Sequence, residues 1–446
     1  MKDTYITKGN NEKISSLTAE RNLAEFKDLE AALQPILDAI EDDTLRKTFE
    51  KCFFNTIRTT AFFEEDDTVF LLTGDIPAMW LRDSAAQVLQ YLFFAEKCES
   101  VRKLIRGLFR KQLRFILTDP YANAFNRTAN GNGHIDDLPT PIPEVWERKF
   151  ELDSLCYPFF LACKYYDKTK DATIFTGDFE KAVDVVLDLF ETEQQHAALS
   201  PYYHDSDYQP KKEKFVGHGS PVAVNGLVWS GYRPSDDCCE YGYYLPGNMF
   251  IVSVLTKLAP IFRMKKDEAR AARCEKIAET VHRALDECAV TTKDGKKIYA
   301  LETDGLGHYN LMDDANLPNL LSLPYIEYPY LDEEVYSNTR SFILCKDNPY
   351  FFEGKVITGI GSPHTPDGYV WPLSLITEAL TTNDATRIRG IVTMLVHSTG
   401  GTGYMHEAVQ KDDDTVFTRP WFAWANSLFS YMILCKADAI LSGEKK

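Results

Sequence analysis

The sequence predicts an all-α fold in which helical hairpins stack around a ring. Apolar residues recur at helical spacing along most of the 446 residues, and segments with the alternation typical of strands are few. No β-α-β alternation is present, which disfavours a Rossmann fold or a TIM barrel. Since no linker rich in Pro, Gly or Ser divides the chain, we expect one domain over residues 1–446.

Each predicted helix has apolar residues at positions i, i+3, i+4 and i+7, the spacing that gives a helix one buried face. In one of them Leu45, Phe49 and Phe53 follow one another at intervals of four residues. About twelve helices are predicted in this way, at 14–40 (kinked at Pro35), 44–60, 83–97, 99–117, 151–166, 179–197, 248–263, 266–289, 332–345, 372–381, 385–398 and 421–441.

The predicted boundaries depend on capping residues and on short turns. Asp178 and Asp384 stand where the N-caps of helices are expected, and Gly400 with Gly401 ends a helix as C-terminal glycines do. Two short strands are predicted, at 68–72 and 297–301. Both are interpreted as pieces of hairpins rather than of a central sheet.

Charge and composition exclude several classes of partner. The chain has 49 Lys and Arg against 66 Asp and Glu, a formal charge of −17, so we expect neither a nucleic-acid partner nor an anionic membrane. No stretch approaches the ~18 uninterrupted apolar residues of a membrane helix, and the polar first residues lack the apolar core of a signal peptide. The ten cysteines form no CxxC pair and are interpreted as reduced and buried. These observations predict a cytoplasmic protein.

The connections between alternate helices are long and rich in Trp, Tyr, Asp, Glu, Arg, His and Gly. Loops of this length and composition are usually functional. Gathered at one end of a helical ring, they would line one aromatic and acidic pocket. Such a pocket suits a sugar, because aromatic faces stack on its C–H faces while carboxylates, Arg and Asn bind its hydroxyls. The loops are 73–84, 125–137 with 144–154, 228–248, 357–372, 400–408 and 417–426.

Adjacent carboxylates at Asp236 and Asp237 are candidate acids. An arbitrary pair of this kind is usually solvated or caps a turn. Here the flanking Trp229 and Arg233 favour burial in a pocket, where a carboxyl group can have a raised pKa and act as a general acid. Both interpretations stay open.

Other candidates have equally ordinary explanations. Glu407 follows a Gly-rich turn and could be a helix N-terminal glutamate that the helix dipole stabilises. Asp83, after Arg82, could be a helix N-cap. Trp421 and Trp424, three residues apart at a helix start, could be core residues.

The sequence lacks the motifs that are typical of several enzyme chemistries. The loop histidines His134, His364 and His406 form no HExxH pattern and no Cys/His cluster with zinc spacing, so no metal site is predicted. Neither GxSxG nor a GxxxxGK[ST] phosphate loop is present. We therefore expect no cofactor.

Four motifs, in order along the chain, resemble glycoside hydrolase family 125. The resemblance covers about residues 20 to 440, and the motifs are TGDIPAMWLRDS at 73–84, VWERKFELDS at 145–154, WSGYRPSDD at 229–237 and YMHE at 404–407. It implies an (α/α)6 barrel whose long loops form the active-site pocket at one end. It also implies a metal-independent exo-α-1,6-mannosidase that inverts the anomeric centre in a single displacement and acts on an α-mannoside oligosaccharide.

The resemblance also implies roles for individual residues. The acid is an aspartate of the RPSDD stretch, with Asp236 favoured over Asp237, and the base is Glu407. The residues implied to hold the sugar are Trp80, Arg82, Asp83, Glu147, Arg148, Asp153, Arg233, Asp237, His364, Trp421 and Asn426. The alternatives are another (α/α)6 specificity such as an α-glucosidase, a non-hydrolytic carbohydrate-binding protein, and a terpene cyclase, whose DDxxD motif this chain lacks. The oligomeric state is left open.

Overall fold

The structure, a computed structural model, describes residues 24–206 and 216–441, and helix is its dominant element. In order along the described chain the α-helices are Lys27–Asp38, Asp43–Asn55, Leu81–Ala86, Glu99–Thr118, Leu152–Thr169, Phe179–Glu193, His196–Leu199, Leu245–Met264, Glu268–Cys288, Glu333–Ile343, Pro372–Leu380, Ala385–Val396, Ala423–Cys435 and Ala437–Leu441. A π-helical turn, Thr56–Thr60, extends the second helix, and two 3₁₀ segments occur at Leu89–Phe94 and Ala172–Phe175. Residues 14–23 of the first predicted helix lie outside the described residues.

The prediction of one helix over 83–97 is wrong. The chain forms a short helix, Leu81–Ala86, and then the 3₁₀ segment Leu89–Phe94. Gln87 and Gln90, which a one-faced helix would turn to solvent, are fully buried. Their side-chain amides donate to the Leu72 carbonyl at 2.9 Å and to Ser427 Oγ at 3.1 Å. Because every residue from Leu81 to Leu92 is buried, tertiary contacts rather than periodicity set the geometry of this segment.

Short strands modify the all-α prediction. The part of the chain that the structure describes contains seventeen strands of two to five residues, grouped in seven small sheets. Both predicted strands are confirmed as hairpin pieces: Val69–Leu71 pairs with Ala61–Phe63, and Lys296–Tyr299 pairs with Val290–Lys293. The remaining strands are Met79–Trp80, Ala124–Phe125, Val145–Glu147, His204–Asp205, Val216–Gly217, Tyr243–Tyr244, Glu302–Thr303, Tyr309–Asn310, Phe351–Phe352, Gly359–Ile360, Tyr369–Val370, Val409–Gln410 and Asp413–Phe417.

The contacts divide the chain into two compact units, each assembled from separate stretches of sequence. Within the described residues, unit 1 comprises 24–111, 164–174 and 351–441, and unit 2 comprises 112–163 with 175–350. The single domain over 1–446 stays a prediction.

The core of unit 1 forms around the apolar helix Ala423–Cys435. It packs against Asp43–Asn55, Pro372–Leu380 and the 3₁₀ segment Leu89–Phe94. Thr56 Oγ1 lies 3.0 Å from Ser427 Oγ in this buried interface. The helix therefore ties the first and last parts of the sequence into one core.

The core of unit 2 contains the long apolar helix Leu245–Met264, packed along Glu268–Cys288. By length and composition alone this 20-residue helix could cross a membrane, and it is the one such helix among the described residues. Within its most apolar window, however, 83% is buried inside the protein. Packing within unit 2 accounts for its apolar character.

The capping predictions have different outcomes. Asp384 is confirmed as an N-cap, since its carboxylate accepts from the backbone N–H groups of Thr386 and Arg387 at 2.9 and 3.1 Å. Asp178 occupies an N-cap position, but its side chain makes no capping hydrogen bond. The prediction that Gly400 and Gly401 end a helix is wrong: their φ values are +59° and +75°, but they lie four and five residues beyond helix Ala385–Val396, whose C-cap is His397.

All ten cysteines lie in the described residues, and none forms a disulfide. Seven of them are buried, two are half-buried, and Cys435 is exposed. The prediction of free thiols is thus confirmed, although burial is not complete.

Candidate active site

Glu407 lies on a turn that leads into the short strand Val409–Gln410. It does not begin a helix, so the alternative of a dipole-stabilised helix terminus is wrong. The preceding backbone is fixed by Asn426, whose Oδ1 accepts from the Met405 N–H at 2.8 Å while its Nδ2 donates to the Phe422 carbonyl at 2.9 Å. Asn426 is fully buried, which gives it a positioning role for the loop that carries Glu407.

His406 anchors the same loop from inside the protein. Its ring is fully buried, stacks on Phe417 at 3.7 Å, and places Nε2 3.1 Å from the Thr399 carbonyl. Burial lowers the pKa of His406 to about 4, so the ring is neutral near pH 7. A neutral, packed imidazole adds rigidity next to Glu407 without adding a competing charge.

Arg419 links Glu407 to a second carboxylate. Its Nε donates to Asp75 Oδ1 at 2.8 Å, and its Nη1 lies 3.5 Å from Glu407 Oε1. Burial by itself would lower the pKa of Arg419, but the charges of Asp75, Glu407 and Asp83 hold that pKa above its usual value. The Glu407 cluster is defined here as Glu407, Arg419, Asp75, Asp83 and Arg82.

Arg82 and Asp83 lie inside the short helix Leu81–Ala86, and Trp80 holds the N-cap position. The alternative that Asp83 is the N-cap is therefore wrong. Both side chains are almost fully buried, with Arg82 Nε 3.4 Å from Asp83 Oδ2, and the Arg82 guanidinium lies 5.6 Å from the centre of the Trp424 ring. Charged groups buried this deeply in pairs are typical of binding sites.

Several buried N–H groups in unit 1, Arg58 Nε among them, have no hydrogen-bond partner among the described residues. Four of them stand in the loops 73–84 and 417–426: the indole N–H groups of Trp80, Trp421 and Trp424, and Nη2 of Arg419. Leaving a buried donor unsatisfied costs about 1–3 kcal/mol, so we expect a water or a ligand to accept from these groups. Hydroxyl oxygens of a sugar are suitable acceptors for these donors.

The backbone that leads into Asp75 depends on a glycine. Gly74 has φ of +144° and forms an isolated bridge with Phe422, while the Asp75 N–H donates to the Trp421 carbonyl at 3.1 Å. A Cβ at position 74 would lie 2.2 Å from the Trp421 carbonyl oxygen. Glycine is therefore required where the Asp75 segment meets the Trp421 segment.

We expect Gly74→Ala to lower the free energy of unfolding by about 1–3 kcal/mol, because the backbone must move to relieve the contact. Gly390→Ala is a matched control, since a Cβ there meets nothing within 4 Å inside helix Ala385–Val396. That control is expected to be neutral or stabilising by up to about 1 kcal/mol. Urea denaturation of the two variants measures both changes, and equal stability of Gly74→Ala and wild type would contradict the requirement.

In unit 2 the loop that carries Asp236 is a tight turn. The Arg233 N–H donates to the Asp237 carbonyl at 2.8 Å, and the Asp236 N–H donates to the Arg233 carbonyl at 2.9 Å. Arg233 is fully buried and paired with Glu302, so it fixes the base of the turn. Asp237 is 7% exposed and Asp236 is half-buried. The alternative that the pair is simply solvated is therefore wrong.

Two of the candidate residues have left-handed backbones. Asp236 has φ of +64° and Arg419 has φ of +43°. Arg419 also precedes Pro420, where an extended backbone is normally favoured. Conformations of this kind cost about 1–3 kcal/mol and are concentrated at functional sites.

Asn123 and Lys149 join Asp236 to Glu147. Asn123 Nδ2 lies 2.8 Å from Glu147 Oε2 and 3.4 Å from Asp236 Oδ1. Lys149 Nζ is 3.0 Å from Glu147 Oε1, and both side chains are buried. Burial alone would lower the pKa of Lys149, but the charges of Glu147, Asp236 and Asp237 raise it above its usual value. With Glu151, which lies 3.4 Å from Asn123 Nδ2, these residues are called here the Asp236 cluster.

The structure places three other predicted residues less centrally. Arg148 donates through Nε to Asp119 Oδ2 at 2.7 Å, and its guanidinium lies 5.4 Å from the centre of the Tyr121 ring, so its charge is used there. Asp153 is fully buried in the first turn of helix Leu152–Thr169. His364 is half-buried, with its ring 6.3 Å from that of Trp371.

Several members of these clusters were not predicted as site residues. Asp75, Arg419 and Lys149 stand inside the rich loops, but their types and spacing alone do not separate them from neighbouring charges. Glu302 carried no signal, because it belongs to the short strand Glu302–Thr303 outside those loops. Buried Asp314 carried none either; burial and the charge of Asp237 raise its pKa.

No group of three or more His, Cys, Asp or Glu side chains arranged to hold a metal ion occurs among residues 24–206 and 216–441. The carboxylates of both clusters are paired with Arg, Lys or Asn instead. This arrangement is suited to acid–base chemistry on a neutral, hydroxyl-rich substrate.

Comparisons with known proteins agree with this chemistry. The family model of the metal-independent α-mannosidases, GH125, matches residues 42–434. The meiotically up-regulated gene 157 protein of Schizosaccharomyces pombe is 38% identical over an alignment of 435 positions, which covers 92% of this chain and 85% of that protein. A solved structure of a metal-independent α-mannosidase of Streptococcus pneumoniae, in a non-productive substrate complex with α-1,6-mannobiose, is 40% identical. It has a TM-score of 0.89 over 93% of this chain and 98% of that one.

More distant structures share the fold alone. A GH78 rhamnosidase of Bacillus sp. GL1 is 11% identical with a TM-score of 0.55, over 89% of this chain and 35% of that one. A bacterial glucoamylase complexed with acarbose is 15% identical with a TM-score of 0.50, over 81% of this chain and 49% of that one. The helical architecture is thus one that glycosidases of several specificities use.

Proposed function

Because the chain belongs to glycoside hydrolase family 125, the metal-independent α-mannosidases, we propose that it releases non-reducing terminal α-1,6-linked mannose from oligosaccharides. Membership of the family makes the protein a glycoside hydrolase. The α-1,6 linkage is supported by the mannobiose in the complex of the S. pneumoniae relative. We further propose that the natural substrates are mannosides of the N-glycan type.

The proposed reaction is a single displacement with inversion. Asp236 donates its proton to the departing glycosidic oxygen as the C–O bond breaks. Glu407 accepts a proton from the water whose oxygen forms the new bond to the anomeric carbon, through a transition state with oxocarbenium character. The half-buried Asp236 beside Lys149 and the buried Glu407 beside Arg419 are the environments that support these roles.

The observation that carries the proposal is the set of buried indole N–H groups of Trp80, Trp421 and Trp424 in the same unit as the buried Glu407. A pyranose offers hydroxyl acceptors for such donors and C–H faces for the rings. We propose that Arg82, Asp83 and His364 of unit 1 bind its hydroxyls. In unit 2 we propose the same for Glu147, Arg148, Asp153, Arg233 and Asp237.

Three further expectations belong to this proposal. The (α/α)6 barrel is supported by the number of helices and by the fold shared with the glucoamylase and the rhamnosidase. The cytoplasmic location is supported by ten free cysteines, which a reducing compartment would maintain. Independence of metals is supported by the family and by carboxylates that pair with cationic or amide side chains.

The experiment is a comparison of α-1,6-, α-1,2- and α-1,3-mannobiose with maltose, each with and without a chelator. We expect hydrolysis of the α-1,6 isomer with a kcat/KM at least about tenfold above the others, unchanged by the chelator. ¹H NMR during the first turnovers should show β-mannose before mutarotation. Loss of activity with the chelator, α-mannose as the first product, or preference for maltose would contradict the respective part of the proposal.

A further inference from the structure

Arg419 is held by three constraints. Its side chain is 8% exposed, its Nε is bound to Asp75 at 2.8 Å, and its backbone keeps a left-handed φ of +43° before Pro420. A buried arginine bound at one end and strained at the other has its guanidinium fixed in place. The constraints therefore orient the two remaining nitrogens, Nη1 and Nη2.

Nη1 faces Glu407. Its distance of 3.5 Å from Oε1 places a positive charge beside one carboxylate oxygen. A general base in this reaction must be ionised and must present one oxygen to water. Because the guanidinium lies beside Oε1, we assign the proton to Oε2.

Nη2 is the unusual atom of the group. It is buried and has no hydrogen-bond partner in the part of the chain that the structure describes. It belongs to the same planar guanidinium as Nη1, which lies 3.5 Å from Glu407 Oε1. A buried N–H donor that no protein atom satisfies is one that an ordered water can satisfy.

On the basis of the proposed function, we propose that Arg419 is a further catalytic residue, which fixes Glu407 through Nη1 and donates from Nη2 to the attacking water. The water oxygen then accepts the hydrogen bond from Nη2 with one lone pair and directs the other at the anomeric carbon. Its proton moves to Glu407 Oε2 as the new C–O bond forms, while the glycosidic oxygen leaves with the proton of Asp236. Asp75 is the positioning residue that keeps Arg419 in this orientation.

The test measures kcat and KM of Arg419→Lys, Arg419→Ala and Asp75→Asn on the mannobiose that the wild type hydrolyses fastest. A lysine has one ammonium group and cannot serve Asp75, Glu407 and water together. We expect Arg419→Lys to lose about 100-fold in kcat with KM within about threefold, because water is not part of substrate binding. Asp75→Asn is expected to lose about tenfold in kcat. Guanidinium chloride should restore kcat of Arg419→Ala at least about tenfold, with saturation.

Arg106 supplies a matched control in the same unit, because it also lies between two carboxylates, Asp171 and Glu99, each at 2.9 Å. Arg106→Lys should keep wild-type kcat, and Arg106→Ala should show no response to guanidinium. Wild-type kcat in Arg419→Lys, or a loss in KM rather than kcat, overturns the inference. If the Arg419 variants do not fold, Asp75→Asn decides by the same criterion. A wild type that hydrolyses none of the mannobioses contradicts the proposed function instead.

Discussion

Replacing Glu407 with glutamine is expected to lower kcat on α-1,6-mannobiose by about 10³-fold while KM changes little. Glutamine keeps the size of the side chain but cannot accept the proton of the attacking water. General acid–base groups are worth about 10²–10⁴-fold in rate, so the loss is large enough to measure by release of mannose. Binding should persist, because the contacts proposed for the sugar come from other residues.

A second variant separates the loss of the base from a general disruption of the site. In Glu407→Ala, azide can enter beside the anomeric carbon and attack without transferring a proton. We expect azide to restore turnover and to give β-mannosyl azide, the product of inversion. Glu378→Gln is the matched control, since Glu378 is a buried carboxylate bound to Arg387 at 2.7 Å in the same unit. A Glu407→Gln enzyme with kcat near wild type would remove Glu407 from the mechanism.

The second large effect is expected for Asp236→Asn, with a loss of about 10²–10⁴-fold in kcat on mannobiose. The amide cannot protonate the leaving oxygen, and a sugar alkoxide leaves poorly. The loss should shrink to about tenfold or less on an aryl α-mannoside. The phenol of such a substrate has a low pKa and therefore departs as the phenolate without protonation. Measurement of both substrates side by side gives the ratio that identifies the acid.

Asp237→Asn tests the choice between the adjacent aspartates. Asp237 supplies the carbonyl that accepts from the Arg233 N–H, whereas Asp236 has the left-handed backbone and the contact with Asn123. We therefore expect Asp237→Asn to lose activity equally on the two substrates. If instead its loss depends on the leaving group and that of Asp236→Asn does not, the two assignments exchange.

Helix-forming segments could be predicted from the sequence where one face is buried and one is solvated. Glu99–Thr118 and Glu268–Cys288 agree with prediction to within two residues for this reason. The prediction was wrong at 83–97, where Gln87 and Gln90 are buried as deeply as their apolar neighbours. A periodic pattern cannot report geometry once every face is enclosed.

Some of the site residues could likewise be predicted from the sequence and others could not. Sequence motifs identified Asp236, Glu407, Arg82 and Asp83 as candidates because their neighbours in the sequence are distinctive. The ion pair between Asp75 and Arg419 joins residues 344 positions apart, and no local pattern reports such a pair. Asn426 was predicted to bind sugar. In the structure its amide oxygen accepts a hydrogen bond from the backbone N–H of Met405, 21 residues away, a contact that no local pattern reports.

The order in which unit 1 is assembled has a consequence for synthesis on the ribosome. Its first stretch ends at residue 111, and its last begins at 351, which is 240 residues later (351 − 111). The helix Ala423–Cys435 that completes its core ends 324 residues after the first stretch (435 − 111), so at about 5–20 residues per second the early stretch waits roughly 16–65 s for it. During that interval Asp43–Asn55 and Leu89–Phe94 lack the helix against which they pack, so the nascent chain exposes apolar surface to the cell. We therefore expect production of the folded protein to depend on chaperones that hold the N-terminal stretch until translation ends.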